Sequence, residues 1–221
     1  FKSPLDFVLA LCALVILSPL LLVVALLVRL KLGSPVIFRQ PRPGLNEKIF
    51  TLYKFRTMTD AKDEEGQLLP DGVRLTKFGK LLRSTSLDEL PELWNIIKGD
   101  MSFVGPRTQL VRDMVFMTQE QRRRHRVMPG LTGWAQVNGR NSVTWEEKLA
   151  FDLEYMENIT FGGDCKIVLT TLAKVFQRDG ISNEGMDTAE DFGDYLLRTE
   201  EISSVEYDQA ISDAALYLLG R

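Results

Sequence analysis

Between Phe7 and Val28 the chain runs 22 residues without a charged side chain. At about 1.5 Å of rise per residue, a helix of that length reaches across a hydrocarbon core roughly 30 Å thick. Ser18-Pro19 falls at its midpoint. A proline inside a helix deletes one backbone donor and presses on the carbonyl four residues earlier, so it bends the helix. The run therefore reads as a kinked span or as a helical hairpin that returns to the face it entered. A re-entrant membrane helix over 1–32, broken at Ser18 and Pro19, is the expectation. A secretory leader has an apolar core of about 7–15 residues before a small-residue cleavage site. This run is longer and leads into Arg29-Leu30-Lys31, so cleavage is not expected.

The formal net charge of -3 conceals two zones of opposite sign. From Arg29 to Arg56 seven basic residues face the single acid Glu47, whereas Asp187 to Asp208 carries eight acids against Arg198 alone. A basic collar after an apolar helix suits anionic lipid head groups, each cation contributing about 1 kcal/mol near the surface. It also places this side in the cytoplasm. Cys12 and Cys165 offer no disulfide framework or metal-type pair, and His125 is the only histidine. A histidine triad or a zinc site therefore has little to draw on.

Downstream, Val36–Phe38 and Ile49–Tyr53 flank a Pro/Gly/Asn segment and predict a short β-hairpin. Residues 59–73 read as a polar surface loop. From Arg74 to Ser84, Leu75, Phe78, Leu81 and Leu82 share one face opposite Lys77, Lys80 and Arg83. That pattern predicts an amphipathic helix in the membrane interface, or one packed on the core. Further helices are predicted through Leu90–Ile97, over about 109–126, from the capping box Thr144–Glu147 with Trp145, Leu149, Leu153 and Met156 inward, and over 166–178. The expected fold is mainly α with one small hairpin. It comprises the membrane helix, interfacial amphipathic helices, a cytosolic catalytic domain over 33–186 and an acidic tail over 187–221.

The densest chemistry lies in Ser84-Thr-Ser-Leu-Asp88-Glu89-Leu-Pro91. Ser86 and Glu89 have capping-box spacing, which would put Asp88 and Glu89 in the first turn of a helix. Pro91 fits best at a first helical position, which leaves a later start open as well. A lone Asp-Glu pair is usually only a cap. Here Arg83 precedes it, Gly105-Pro106-Arg107 and Asn138-Gly139-Arg140 follow, and Lys54 and Arg56 end the hairpin. The glycine-marked loops 128–134 and 138–141 would leave backbone N–H groups for phosphate oxygens, although neither matches a P-loop or dinucleotide pattern. Arg122-Arg-Arg-His-Arg126 reads as a solvated or lipid-facing helix end rather than a nucleic-acid patch.

In combination, Ser18-Pro19, QPRPGLNEKIF (40–50), YKFRTM (53–58), LTKFGKLLRSTSLDELPELWN (75–95), KGDMSFVGPR (98–107) and PGLTGWAQVNGRN (129–141) resemble the small monotopic phosphoglycosyl transferases. These bacterial enzymes begin glycan assembly on a polyprenyl phosphate carrier. GLNEKIF and ISNEG (181–185) look most like members that load a bacillosamine-type sugar. The resemblance covers about 1–186 and implies that Asp88 is the nucleophile on a UDP-sugar, expelling UMP, with Glu89 as its partner at a Mg²⁺ site. It places Lys54, Arg83, Arg107, Arg140 and Asp164 around the substrate. It further implies undecaprenyl phosphate as acceptor, the cytoplasmic face of the inner membrane, and downstream glycosyltransferases as partners. One rival reading keeps this chemistry with a UDP-hexose or UDP-N-acetylhexosamine as donor; another, a non-enzymatic membrane adaptor, leaves the ordered acidic and basic motifs unexplained.

Overall fold

A computed structural model describes residues 2–139, 143–177 and 190–219. Helix α1 spans Lys2–Leu32 and runs through Ser18-Pro19 without interruption. Pro19 cannot donate to the carbonyl of Val15, and the Ser18 hydroxyl donates to that carbonyl instead, at 2.8 Å. One stripe of α1 faces protein. Ala10, with Leu14 and Leu17, packs on Phe50, Leu52, Leu93 and Ile96. Farther along, Val24, Val28 and Leu32 pack on Phe55 and Leu82. The opposite face is apolar and bare, with Ile16 75% and Leu22 71% exposed. The helix is long and apolar enough to cross a membrane.

Strands β1 (Ile37–Pro43) and β2 (Ile49–Phe55) form the expected antiparallel hairpin. Its turn holds the 3-10 segment Leu45–Glu47. The outer edge of β2 is closed by one side chain. Asn95, fully buried, accepts from the Tyr53 N–H at 3.1 Å and donates to the Thr51 carbonyl at 2.7 Å. An edge strand with unpaired backbone groups needs such partners. Asn95 belongs to α4 (Glu92–Ile97), so this pair of bonds seats α4 on β2.

Between them, a single turn α2 (Asp71–Arg74) interrupts the expected loop, and α3 spans Lys77–Ser84. Thr76 caps α3 by accepting from the Gly79 N–H, so the helix begins later than Arg74. A Cβ on Gly79 would lie 1.9 Å from the Thr57 carbonyl oxygen; only glycine permits this approach. Leu82 and Phe78 turn onto α1 and the hairpin, leaving Leu81 outward.

The hairpin is not the whole of the β structure. β3 (Ser102–Val104) pairs in parallel with β4 (Gly130–Thr132). The backbones at Gly105 and Gly130 touch: a Cβ on either would meet backbone of the other segment within 2.8 Å. The helix expected over 109–126 is broken into α5 (Val111–Met114), α6 (Gln119–Arg122) and a 3-10 turn over Arg123–Arg126. Thr118 and Gln121 form a capping box that starts the second piece.

After α7 (Trp134–Asn138), α8 (Trp145–Glu157) starts at the predicted box. Its buried face is Trp145, Leu149, Asp152 and Tyr155, not Leu153 and Met156. Asp152 and Tyr155 displace the apolar pair because each finds a polar partner inside. α9 (Phe161–Gln177) begins five residues before the predicted start, where Thr160 Oγ1 accepts from the Gly163 N–H. In the acidic tail, α10 (Phe192–Arg198) and α11 (Ser204–Leu219) pack back on α5. Phe192 stands 5.0 Å from the Trp145 ring, and its N–H donates to Asp113 Oδ1 at 2.9 Å.

Candidate active site

The segment from α3 to α4 does not form the expected continuous first turn. Ser86 takes a left-handed backbone, with φ 54°, and makes no side-chain cap. Leu87–Glu89 is a 3-10 turn, and α4 starts only after Pro91. The capping-box reading of Ser86 and Glu89 is therefore corrected. Glu89 is drawn away from the backbone by two cations. Its Oε1 accepts from Lys54 Nζ at 2.8 Å and from Arg107 Nη2 at 2.6 Å.

Three elements thus meet at one carboxylate: β2 through Lys54, the 3-10 turn through Glu89 and the loop after β3 through Arg107. Lys54 also contacts Glu92 Oε1 at 3.2 Å, a carboxylate that the sequence motifs left unassigned. Burial opposes the charge on Glu89, but Arg107 and Lys54 overcome it and hold the group well below the usual carboxylate range. The converse holds beside it. Burial and the Glu89 charge raise Asp88 to about 6. Glu92, buried and facing Glu89, rises to about 7 despite Lys54. Adjacent carboxyls whose pKa values are driven apart are a hallmark of acid–base or nucleophilic sites.

Asp88 is 8% exposed and, among the described residues, enters no ion pair. Arg83 lies within electrostatic reach of it and donates from Nε to Thr57 Oγ1 at 3.1 Å. So Lys54, Arg83, Asp88, Glu89 and Arg107 come together as expected. Arg140 lies outside the described residues, as does the segment 181–185. Among the described residues Asp164 makes no contact with these five. It pairs with Lys2 at 3.0 Å and accepts from the Tyr155 hydroxyl at 2.8 Å. Lys2 also donates to the Val104 carbonyl at 2.6 Å. Asp164 therefore ties the start of α1 to β3, the strand that leads into Arg107.

The loop carrying Arg107 is held from behind by residues that motif reading missed. Arg124 Nη2 donates to the Arg107 carbonyl at 2.5 Å, and Arg42 Nη1 donates to the Thr108 carbonyl at 3.4 Å. Arg124 is itself locked to Asp152 at 2.6 Å, both side chains no more than 2% exposed. The expectation of a solvated or lipid-facing run over 122–126 fails at this residue. A five-residue basic stretch hides one inward arginine, and only the distant Asp152 marks it.

The glycine loops also differ from expectation. The Gly130 N–H donates to the Pro106 carbonyl and the Gly105 N–H to the Thr132 carbonyl, both at 2.9 Å. The Gly139 N–H donates to Ala135. These donors are consumed inside the fold; Gly105 and Gly130 let two backbones touch, Gly139 makes room for the Val143 side chain, and residues 140 and 141 of the second loop lie outside the described residues.

The model of the family described as "Bacterial sugar transferase" matches residues 1–178. The chain belongs to the bacterial sugar transferase family. Within the family it is 54% identical over 175 residues to the uncharacterized sugar transferase EpsL of Bacillus subtilis (strain 168), covering 79% of this chain and 87% of that protein. It is 41% identical over 186 residues to the UDP-glucose:undecaprenyl-phosphate glucose-1-phosphate transferase of Escherichia coli (strain K12), covering 77% of this chain and 39% of that one. A UDP-N-acetylgalactosamine-undecaprenyl-phosphate N-acetylgalactosaminephosphotransferase of Aeromonas hydrophila is 36% identical, covering 79% and 43%. The chain thus spans most of the Bacillus relative and less than half of the other two. The described tail helices α10 and α11 lie beyond the family match.

Proposed function

We propose that this sugar transferase moves a sugar-1-phosphate from a UDP-sugar to polyprenyl phosphate, releasing UMP, through a covalent intermediate on Asp88. The observation that carries it is the buried Asp88 carboxyl beside Glu89, with Glu89 clamped by Lys54 and Arg107. In the first step an Asp88 oxygen attacks the β-phosphorus. The bond from that phosphorus to the bridging oxygen breaks, and UMP leaves with the electron pair. In the second, a lipid phosphate oxygen attacks the same phosphorus and the Asp88 carboxylate departs. Splitting the reaction lets UMP leave before the lipid binds. Phosphoryl transfer depends mostly on positioning and charge neutralisation, and Lys54, Arg83 and Arg107 supply both.

Mg²⁺ fits the site chemically. It takes one or two carboxylates and completes its shell with phosphate oxygens and water. Asp88 and Glu89 supply hard oxygen donors. Asp88 and Glu89 would hold the ion, with substrate oxygens and water as its further ligands. When bound, the ion neutralises charge on the pyrophosphate.

The acceptor is a lipid, so the site must sit at the membrane surface. Helix α1 fits a re-entrant anchor at the cytoplasmic face of the bacterial inner membrane. Lys2 at one end pairs with Asp164, and the carbonyl of Leu32 at the other meets Arg56 at 3.4 Å. Both ends thus rest on one folded body while the outward face is apolar. The donor sugar follows from the resemblance as a diacetamido sugar of bacillosamine type. The test is UMP release with undecaprenyl phosphate and a panel of UDP-sugars, including UDP-glucose and UDP-N-acetylgalactosamine. Wild-type turnover on the diacetamido donor, lost in Asp88→Asn and in excess EDTA, supports the reading. An Asp88→Asn protein with full turnover overturns the nucleophile.

A further inference from the structure

Within the basic run over 122–126 only Arg124 turns inward to the Arg107 loop. Arg122, Arg123, His125 and Arg126 line a cavity of about 360 Å³ together with Glu47. A second cavity of about 260 Å³ adjoins it, with Arg126 common to both; Lys2, Ser3, Leu45, Val127 and Ile159 help to line it.

The positive charge in this groove is unevenly committed. Arg122 is spent, both Nε and Nη2 reaching Glu47 at 2.6 Å. Arg123 meets Glu120 and Glu157, which are 63% and 57% exposed at the side chain. Such surface pairs contribute little and exchange readily for another anion. Arg126 is exposed and, among the described residues, unpaired. His125 adds no charge, since burial and the Arg124 guanidinium push it down to about 3. Among the described residues, neither of its buried ring nitrogens is hydrogen-bonded to another side chain.

The second cavity differs in character. Leu45 and Ile159 present exposed apolar surface there, beside the first turn of α1. Because the outward face of α1 is apolar, that turn marks where water meets lipid. The groove crosses this boundary, with cations on one side and apolar side chains on the other. It is a different surface from the Lys54–Glu89 clamp, although Arg124 of the same turn backs the Arg107 loop. The Leu45–Glu47 turn packs on the Arg123–Arg126 turn, whereas Lys54 sits opposite Phe38 at the far end of the hairpin.

We infer that the two cavities form a seat for an anionic membrane phospholipid, separate from the acceptor site. Arg126 and Arg123 hold its phosphate, and Leu45 and Ile159 meet the first methylenes of its chain. The inference rests on α1 lying in the bilayer. The test uses the full chain in nanodiscs of phosphatidylcholine doped with phosphatidylglycerol, without polyprenyl phosphate, and reads bound lipid by native mass spectrometry. The wild type should retain phosphatidylglycerol over phosphatidylcholine. Arg126→Gln should weaken that retention about fivefold, and Arg123→Gln with Arg126→Gln further, because one cation near an anionic lipid contributes roughly that factor. Equal phosphatidylglycerol retention by the wild type and the double variant overturns the seat. So does binding of free glycerophosphate or inorganic phosphate as tight as that of the lipid. Carbonate extraction separates the two readings: wild-type protein that washes off membranes overturns the anchor together with the seat, whereas retained protein confines a failure to the seat.

Discussion

The buried pair Arg124–Asp152 is the most incisive place to perturb the site without touching it. Arg124→Met strands the Asp152 carboxylate in a position no more than 2% exposed, where, among the described residues, its Oδ1 already lacks a hydrogen-bond partner. Breaking a buried pair by removing one partner costs about 3–5 kcal/mol. At roughly 2–4 °C per kcal/mol for a chain of this size, the melting temperature should fall by about 6–20 °C. Replacing both members by apolar residues removes the stranded charge, so Arg124→Met with Asp152→Leu should regain most of that loss. Activity should not return with it. The double variant still lacks the donor at the Arg107 carbonyl, and a misplacement of about 1 Å at a phosphate-binding cation costs on the order of 100-fold. The assays are thermal unfolding in detergent and kcat/KM for UMP release. A double variant with full kcat/KM would show that Arg124 serves the fold alone. A single variant that melts normally would refute the buried pair itself.

Gly105→Ala should lower both stability and kcat/KM, because its Cβ would stand 2.3 Å from the Met128 carbonyl oxygen, one turn from Arg107; unchanged melting and kinetics would contradict the β3–β4 contact. Asp164→Asn should loosen the start of α1 from β3 and speed proteolysis near Lys2 while leaving Asp88 reactive, since Asp164 contacts Lys2 and Tyr155 rather than the acidic pair; loss of all adduct formation would return Asp164 to the reacting centre. Asp88 also links pH to stability. Its folded value of about 6 lies above the ordinary 3.8, so the native state binds the proton more tightly than the unfolded one, and stability falls as pH rises from about 4 to about 6. In EDTA, Asp88→Asn should therefore be more stable than wild type at pH 8, by roughly 3 kcal/mol at most, with the gap closing toward pH 4. Activity has the opposite dependence, and the acid limb of kcat/KM should lie near pH 6. A gap that widens toward acid would refute the burial of Asp88.

Much of this arrangement was legible in the chain. The uncharged run, the hairpin and the Thr144–Glu147 cap are local patterns, and the structure repeats them. Asp88, Glu89, Lys54, Arg83 and Arg107 could be grouped because cations gathered around an acidic pair imply a shared anion. What escaped notice depends on distant partners. Arg124 looks like its neighbours until Asp152 is found 28 positions away. Asn95 looks like a polar accident in ELWN until the β2 edge needs both its donor and its acceptor. Gly130 suggested an anion-binding N–H group, whereas its role is to let its backbone touch that of Gly105 across the β3–β4 pair. Ser86 and Glu89 carried capping-box spacing, but the pull of Lys54 and Arg107 on a buried carboxylate outweighs a cap of about 1 kcal/mol.

The covalent step is the centre of the proposed function, and intact-protein mass spectrometry reads it directly. Enzyme, Mg²⁺ and UDP-sugar, mixed without lipid acceptor, should release UMP up to one equivalent per site. The protein should gain the mass of one sugar phosphate, mapped to Asp88. Asp88→Asn should show neither. Adding polyprenyl phosphate should then discharge the adduct. If UMP appears only when both substrates are present, and no adduct forms under conditions of rapid turnover, transfer is direct and Asp88 is not the nucleophile.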